Sequence, residues 1–229
     1  MPSTAGSNQV NSAGAGPAAS DQDGAGANFA SGGPGAGELA AAKAALRTAV
    51  LARRRAMTPE DRALAGRRLR DAVLELPELQ MAGTVAAYLS VGTEPDTRGL
   101  IFALWKRGTY VLLPVLLPDG ELDWASYEGP DSLTPGPRGL LEPTEPRRGV
   151  TAITSADLVL VPALAVGRDG TRLGRGGGSY DRALARVGAA IQTVSLLYPG
   201  EFSGPVPAAA HDQPVRTVAV AGEGITRLR

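Results

Sequence analysis

Short apolar runs, separated by turn signals or helix-length segments, constrain this chain more than any other feature. The runs are rich in Val and Leu and are spaced as in βαβ units. The composition of the run at 110–117 is typical of a strand buried on both faces of a parallel sheet. We therefore expect an α/β fold, with strands at residues 84–91, 110–117, 121–127, 157–161, 193–198 and 215–220.

The first 37 residues differ from the rest in composition. They include 9 Gly, 9 Ala and 5 Ser and neither Lys nor Arg, so they bury too little apolar surface to offset the entropy of ordering. We expect a disordered tail over residues 1–37 and one α/β domain over residues 38–229. The domain is predicted to begin with a helix at 38–57, followed by a second helix whose capping signal is Thr58, Pro59 and Asp61.

The overall composition excludes several classes of protein. The 23 basic residues balance 23 acidic residues, which argues against a general nucleic-acid or membrane-surface binder. The absence of Cys excludes thiolate nucleophiles, disulfides and Cys-ligated zinc, and the single His excludes any site with two His ligands. No secretory signal or membrane-spanning apolar stretch is visible, so we expect a cytoplasmic protein, and we also expect a monomer.

The glycine-rich segment 170–181 carries the clearest functional signal. It follows a predicted strand and opens a predicted helix, and Arg172 and Arg175 lie within it. Glycines let backbone N–H groups approach phosphate oxygens, and the arginines add fixed positive charge. The segment has neither the P-loop spacing nor the Rossmann fingerprint. The sequence therefore predicts an anion-binding turn, and a flexible surface turn is the alternative.

Charged residues elsewhere in the chain form three further candidates. Lys43 and Arg47 lie four residues apart and so share a helix face. Glu94 follows the end of the strand at 84–91, where ligand pockets form in α/β sheets. Asp212 together with Asp181 provides the carboxylate oxygens that Mg²⁺ prefers, although each of these residues alone has a simpler structural explanation.

Together these segments resemble the 5-formyltetrahydrofolate cyclo-ligase family. Residues 172–181 are similar to the family signature R-L-G-x-G-x-G-x-Y-D, and Lys43-x-x-x-Arg47, the segment 88–97, the loop 139–143 and His211-Asp212 follow in the family's order. The resemblance covers about residues 40–220. It implies a three-layer α/β/α fold with a mostly parallel central sheet and an ATP- and Mg²⁺-dependent closure of 5-formyltetrahydrofolate to 5,10-methenyltetrahydrofolate, with release of ADP and phosphate.

The resemblance also implies roles for individual residues. Lys43 and Arg172 would be catalytic, Asp181 and Asp212 would hold Mg²⁺, and Leu89 and Glu94 would bind the folate. The implied ATP-binding residues are Lys43, Ala44, Ala45, Leu46, Arg47, Arg172, Leu173, Gly174, Arg175, Gly176, Gly177, Gly178, Ser179 and Tyr180.

The chain departs from the family pattern at two positions. Ser179 replaces the first of two aromatic residues before Asp181, and Val166 replaces a Phe. Two other functions stay open: a non-catalytic nucleotide- or folate-binding module, which would show no turnover, and a sugar-phosphate isomerase or CoA-handling enzyme, which only fold analogy supports.

Overall fold

The computed structural model describes residues 35–228, except for the side chain of Arg138, so the predicted tail lies outside the described residues up to position 34. The helices are α1 (Ala36–Ala56), α2 (Pro59–Leu74), α3 (Pro77–Gln80), α4 (Arg98–Lys106) and α5 (Ser179–Leu184). The strands are β1 (Thr84–Ala86), β2 (Tyr110–Leu116), β3 (Leu122–Ser126), β4 (Leu133–Pro135), β5 (Leu141–Pro143), β6 (Leu158–Val161), β7 (Ala165–Gly167), β8 (Arg172–Leu173), β9 (Gln192–Leu197), β10 (Phe202–Ser203), β11 (Thr217–Val220) and β12 (Gly224–Arg227). None of these helices is both long enough and apolar enough to cross a membrane.

The predicted start of the second helix is confirmed. The Thr58 hydroxyl accepts a hydrogen bond from the backbone N–H of Asp61 at 3.0 Å, and Pro59 occupies the first helical position. This cap satisfies one of the N–H groups that a helix start leaves without a partner. The first helix begins at Ala36, two residues before its predicted start.

Seven strands form the central sheet in the order β12-β11-β9-β6-β1-β2-β3. The strands β2, β1, β6, β9 and β11 are parallel, and the edge strands β3 and β12 are antiparallel to their neighbours. From β1 the chain continues to β2 on one side, whereas β6 lies on the other side of β1. This reversal of strand order creates a crevice at the carboxyl ends of β1 and β6.

Both faces of the sheet are buried. Because successive strand residues point to opposite faces, each parallel strand contributes side chains to the apolar clusters on both sides. On one face, Val85 and Leu158 pack in a cluster with Leu69 of α2 and Leu104 of α4. On the other face, Val159 packs in a cluster with side chains of α5 and of the 3₁₀ turn Ala152–Ser155. The predicted three-layer α/β/α fold with a mostly parallel sheet is therefore confirmed.

Helix α1 lies against the smaller sheet formed by β10, β7 and β8. Val50 packs with Leu164 and Leu173 in a separate apolar cluster. Nearby, the buried Arg54 forms two hydrogen bonds of 2.7 Å with Glu201. Burial opposes the charged form of Arg54, but the bonds and charge of Glu201 outweigh it and raise the pKa of the guanidinium. This pair fixes α1, which carries Lys43 and Arg47, to the rest of the fold.

Three predictions about regular elements are wrong. The Pro- and Gly-rich segment 130–149 is not only a loop, because β4 and β5 pair within it as a short antiparallel hairpin. The segment 84–91 leaves the strand conformation after Ala86. The chain does not end its sheet at residue 220, since β12 adds an antiparallel edge.

Candidate active site

A cavity of about 450 Å³ opens where the chain leaves the carboxyl ends of β1 and β6. Tyr88 and Leu89 follow β1, and Pro162, Ala163 and Leu164 follow β6. The volume is within the range of small-molecule sites, which is about 300–1,000 Å³. The cavity therefore lies where the strand order predicts a ligand site.

Most of the residues that the sequence singled out meet at this cavity. Four stretches of the chain contribute them, although they are up to 169 residues apart in sequence. The predicted residues that line it are Lys43, Arg47, Leu89, Glu94, Arg172, Leu173, Gly174, Arg175, Gly176, Gly177, Gly178, Ser179, Tyr180, Asp181 and Asp212.

Three predicted ATP-binding residues do not line the cavity. Ala44 and Ala45 are exposed on α1, and Leu46 packs against the apolar cluster around Val50. The physical reason is the helical period, since Lys43 and Arg47 share one face and the three residues between them point elsewhere.

The glycine-rich turn holds its shape through backbone conformations that favour glycine. Gly176 and Gly178 have φ angles of 100° and 69°, in the left-handed region that other residues rarely adopt. The Arg47 Nε donates to the Gly174 carbonyl at 2.9 Å. A Cβ atom on Gly176 would lie 3.3 Å from the Arg47 guanidinium carbon, so the absence of a side chain lets α1 and the turn approach closely.

Three of the four cations at the cavity are paired with carboxylates. Lys43 pairs with Asp212, Arg172 with Asp181 at 2.6 Å, and Arg175 with Glu94 at 2.9 Å. Arg47 has no carboxylate partner among the described residues. We call these cations and the turn 174–178 the cationic wall. The lining holds one more positive charge than negative charges, with His211 counted as neutral, so it is suited to an anion.

Each of the two aspartates at the cavity is held by a cation through one carboxylate oxygen. Asp181 Oδ1 accepts bonds from Arg172 and from the Gln213 N–H, and Asp212 Oδ2 accepts bonds from Lys43 and the Ala209 N–H. Within residues 35–228, the second oxygen of each accepts no hydrogen bond. Burial favours the neutral acid at Asp212, but the bonds from Ala209 and Lys43 outweigh it and lower the pKa of this carboxyl.

This donor set fits Mg²⁺, which takes one or two carboxylates together with phosphate oxygens. The described residues contain no group of three or more acidic or His side chains that would hold a metal by themselves. Phosphate oxygens and water would therefore have to complete the coordination.

The rest of the lining is mostly apolar, and sequence reasoning missed most of it. We call Tyr88, Leu89, Pro114, Leu116, Leu122, Leu140 and Leu141 the apolar wall. Only Leu89 was predicted as a site residue, because Val, Leu and Pro in strands look like ordinary core. The loop 139–143 had matched the family pattern and was the available signal for Leu140 and Leu141.

Two tyrosines, Tyr88 and Tyr180, and the carboxylate of Glu94 also line the cavity. Burial raises the pKa of both Tyr88 and Tyr180, and the Glu94 charge raises each further. Both phenols therefore stay protonated near neutral pH. Glu94 Oε2 accepts a bond from the Val91 N–H at 2.9 Å, while Arg175 holds Oε1.

The fold and the cavity define a class: an α/β protein with a site for an anionic ligand beside a largely apolar one. Residues 39–221 match the model of the 5-formyltetrahydrofolate cyclo-ligase family. The chain therefore belongs to this family.

Individual relatives agree with this assignment. The chain is 39% identical over 193 residues to the 5-formyltetrahydrofolate cyclo-ligase of Mycolicibacterium smegmatis, covering 82% of this chain and 97% of the relative. It is 37% identical over 168 residues to the Escherichia coli K12 protein of the same name, covering 68% and 92%. The structure of 5,10-methenyltetrahydrofolate synthetase from Aquifex aeolicus superposes with a TM-score of 0.72 at 29% identity, covering 82% and 93%.

Proposed function

We propose that this cavity carries out the reaction of its family, the ATP-dependent closure of 5-formyltetrahydrofolate to 5,10-methenyltetrahydrofolate with release of ADP and phosphate. One observation supports this most directly: a cationic wall and an apolar wall with a carboxylate line the same cavity. ATP needs the first wall and a reduced folate needs the second, and the two substrates must touch for a phosphoryl group to pass between them.

In this proposal the phosphates of ATP bind to Lys43, Arg47 and Arg172 and to backbone N–H groups of the turn 174–178. Helix α5 has only six residues, so side-chain charges contribute more than its dipole. Arg47 has no carboxylate partner among the described residues and can bind a phosphate directly, whereas Lys43 and Arg172 must each exchange a carboxylate for a phosphate. A charge-assisted bond to a phosphate is about as strong as the bond that it replaces.

We assign the folate to the apolar wall and Glu94. Leu89 and its neighbours provide a surface for the flat pteridine ring, and the Glu94 carboxylate accepts hydrogen bonds from ring N–H groups. Because Arg175 already occupies Glu94 Oε1, the folate displaces it. The freed guanidinium then lies beside the phosphate site as an additional cation.

The chemistry requires activation because the formyl oxygen is a poor leaving group. The formyl oxygen attacks the γ-phosphorus, the bond to the β-phosphate oxygen breaks, and ADP leaves. N10 then attacks the activated carbon, the carbon–oxygen bond breaks with release of phosphate, and the proton of N10 is lost. Arg172 and Lys43 stabilise the charge on the transferring phosphoryl group.

Mg²⁺ is part of this proposal, with Asp181 and Asp212 as its protein ligands. The bound ion would neutralise phosphate charge. The second oxygen of each aspartate accepts no hydrogen bond among the described residues, which supports the assignment, and the bonds from Arg172 and Lys43 already orient the two carboxylates.

The test is incubation of the purified protein with 5-formyltetrahydrofolate, Mg²⁺ and ATP, while the methenyl absorbance and ADP are followed. We expect both products only when all three components are present, with one ADP for each methenyl group. Binding of ATP without either product would refute the enzyme and favour the binding module.

We also propose a cytoplasmic monomer that binds neither nucleic acid nor membranes, with the domain and tail boundaries predicted from the sequence. The balance of 23 basic and 23 acidic residues argues against binding to nucleic acid or to membranes. Sedimentation of the pure protein tests the oligomeric state.

A further inference from the structure

We infer that Arg182, held by Glu121, is a positioning residue that fixes the glycine-rich turn in the shape needed to bind phosphate. This inference rests on the proposed function. Neither residue lines the cavity, and no motif in the sequence assigned them a role.

Arg182 lies between two glycine turns that are far apart in the sequence. One guanidinium nitrogen donates to the Gly120 carbonyl at 2.7 Å, and another lies 3.5 Å from the Gly177 carbonyl. Gly120 belongs to the hairpin between β2 and β3, and Gly177 belongs to the phosphate-binding turn of the cationic wall. The side chain therefore links the two turns directly.

Both glycine turns pack closely against the Arg182 guanidinium. A Cβ atom on either Gly120 or Gly178 would lie 2.9 Å from an Arg182 nitrogen, and both glycines have positive φ angles, of 83° and 69°. Both turns thus leave room for the guanidinium with backbone conformations that favour glycine.

Glu121 orients Arg182 from the hairpin side. Its Oε1 lies 2.6 Å from the Arg182 Nε, and its Oε2 lies 2.6 Å from a nitrogen of Arg186. Arg186 thus pairs with the same carboxylate, but its described bonds include none to the phosphate-binding turn, which makes it a matched control.

The two linked segments differ in rigidity. The hairpin is fixed, because β2 and β3 pair over five residues and β2 also pairs with β1. The turn 174–178 lies outside any helix or strand, and three of its five residues are exposed. By contacting both segments, Arg182 therefore restricts the motion of the turn relative to the hairpin. We expect its loss to affect the phosphate site more than the folate site.

A purely structural role would give a different result. The Arg182 side chain is 41% exposed, and an ion pair at such a position contributes little to global stability. Substitution of Arg182 is thus expected to change local order and ATP binding without unfolding the protein.

The experiment compares Arg182→Met with Arg186→Met in the full chain. For Arg182→Met we expect KM for ATP and the Kd of a non-hydrolysable ATP analogue to rise about tenfold. We expect KM for 5-formyltetrahydrofolate and the melting temperature to stay near the wild-type values. Amide hydrogen exchange at residues 174–179 should accelerate, while exchange at residues 84–91 should not. Arg186→Met should leave all of these values near the wild type.

The inference is overturned by unchanged ATP affinity in Arg182→Met. It is also overturned if both substrates weaken together with a lower melting temperature, or if Arg186→Met has the same effect. Hydrogen exchange and analogue binding need no turnover, so failure of the proposed function would appear separately, as a wild-type protein without methenyl product.

Discussion

The two walls of the cavity differ in how their side chains are held before a ligand binds. Three of the cations in the cationic wall are paired with carboxylates: Lys43 with Asp212, Arg172 with Asp181 and Arg175 with Glu94. In the apolar wall, Tyr88, Leu89 and Leu122 are buried against the core. A phosphate must therefore displace carboxylates from Lys43 and Arg172, whereas the pteridine ring meets an apolar surface that is already formed and displaces only Arg175 from Glu94. The difference suggests that the cationic wall responds to its ligand and the apolar wall selects its ligand by shape.

Removal of Arg172 is expected to have the largest effect. Arg172→Met removes a guanidinium that is only 3% exposed, and we predict a fall in kcat of about 10²–10³-fold, the usual loss for one group that stabilises transition-state charge. Steady-state kinetics with ATP measures this effect.

Arg172→Met also leaves Asp181 without its partner, so a second variant is needed. The double variant Arg172→Met/Asp181→Asn removes the stranded charge, and it should remain inactive and folded. Recovery of near-normal turnover in the double variant would show that Arg172 only neutralises Asp181.

Glu94→Gln tests the assignment of the folate to the apolar wall and Glu94. The substitution removes the charged acceptor for the folate ring, and hydrogen bonds to charged groups contribute about 1.5–3 kcal/mol. We predict that KM for 5-formyltetrahydrofolate rises about 10–150-fold, while KM for ATP changes little.

The control for Glu94 is its ion-pair partner. Arg175→Gln breaks the same pair but keeps the carboxylate, so folate binding should be unchanged or tighter. If both substitutions weaken the folate equally, the ion pair matters, and Glu94 is not the acceptor.

A smaller effect is expected from pH. Bonds from Ala209 and Lys43 lower the pKa of Asp212 in the folded protein. This stabilisation is present above the ordinary pKa of an aspartate, about 3.9, and is lost as the pH falls through the lower folded value. Asp212→Asn should therefore lose less stability than the wild type when the pH is lowered from about 5 to 3.

Melting temperatures measured across this pH range test the prediction. Glu223→Gln, in an exposed turn, is the control and should follow the wild-type profile. An Asp212→Asn profile parallel to the wild type would mean that the Lys43 pair contributes nothing to folding.

The smallest effect is expected from the tail. Removal of residues 2–34 should change kcat/KM by less than about twofold, because the described residues that line the cavity all lie at or after Lys43. A large loss of activity would assign the tail a role in the site.

Local signals in the sequence predicted much of the fold. The Thr58 cap and the apolar runs at β2 and β6 are short-range patterns, so they located those elements correctly. The β4–β5 hairpin was missed because the segment 130–149 that contains it has five prolines and three glycines, which are typical of a loop, and the hairpin depends on pairing within that segment.

The charged residues and glycines of the candidate site were predictable from the sequence, and the family resemblance added Leu89, Leu173, Ser179 and Tyr180, but the rest of the apolar wall was not predicted. Arg172 and Glu94 stand out in a sequence, but Leu116 and Leu122 look like core residues until the sheet places them at the cavity. The pair between Lys43 and Asp212 spans 169 residues, and no local pattern reveals it. Ala44 and Ala45, by contrast, could have been excluded from the sequence, because the helical period places them off the face that Lys43 and Arg47 share.

A crystal structure with a non-hydrolysable ATP analogue and 5-formyltetrahydrofolate tests the central claim most directly. The account predicts that the phosphates contact Lys43, Arg47 and Arg172, and that the pteridine ring lies on Leu89 with Glu94 as its acceptor. It also predicts that Arg175 has left Glu94. Phosphates bound away from these three cations, or a pteridine ring against the turn 174–178, would contradict it.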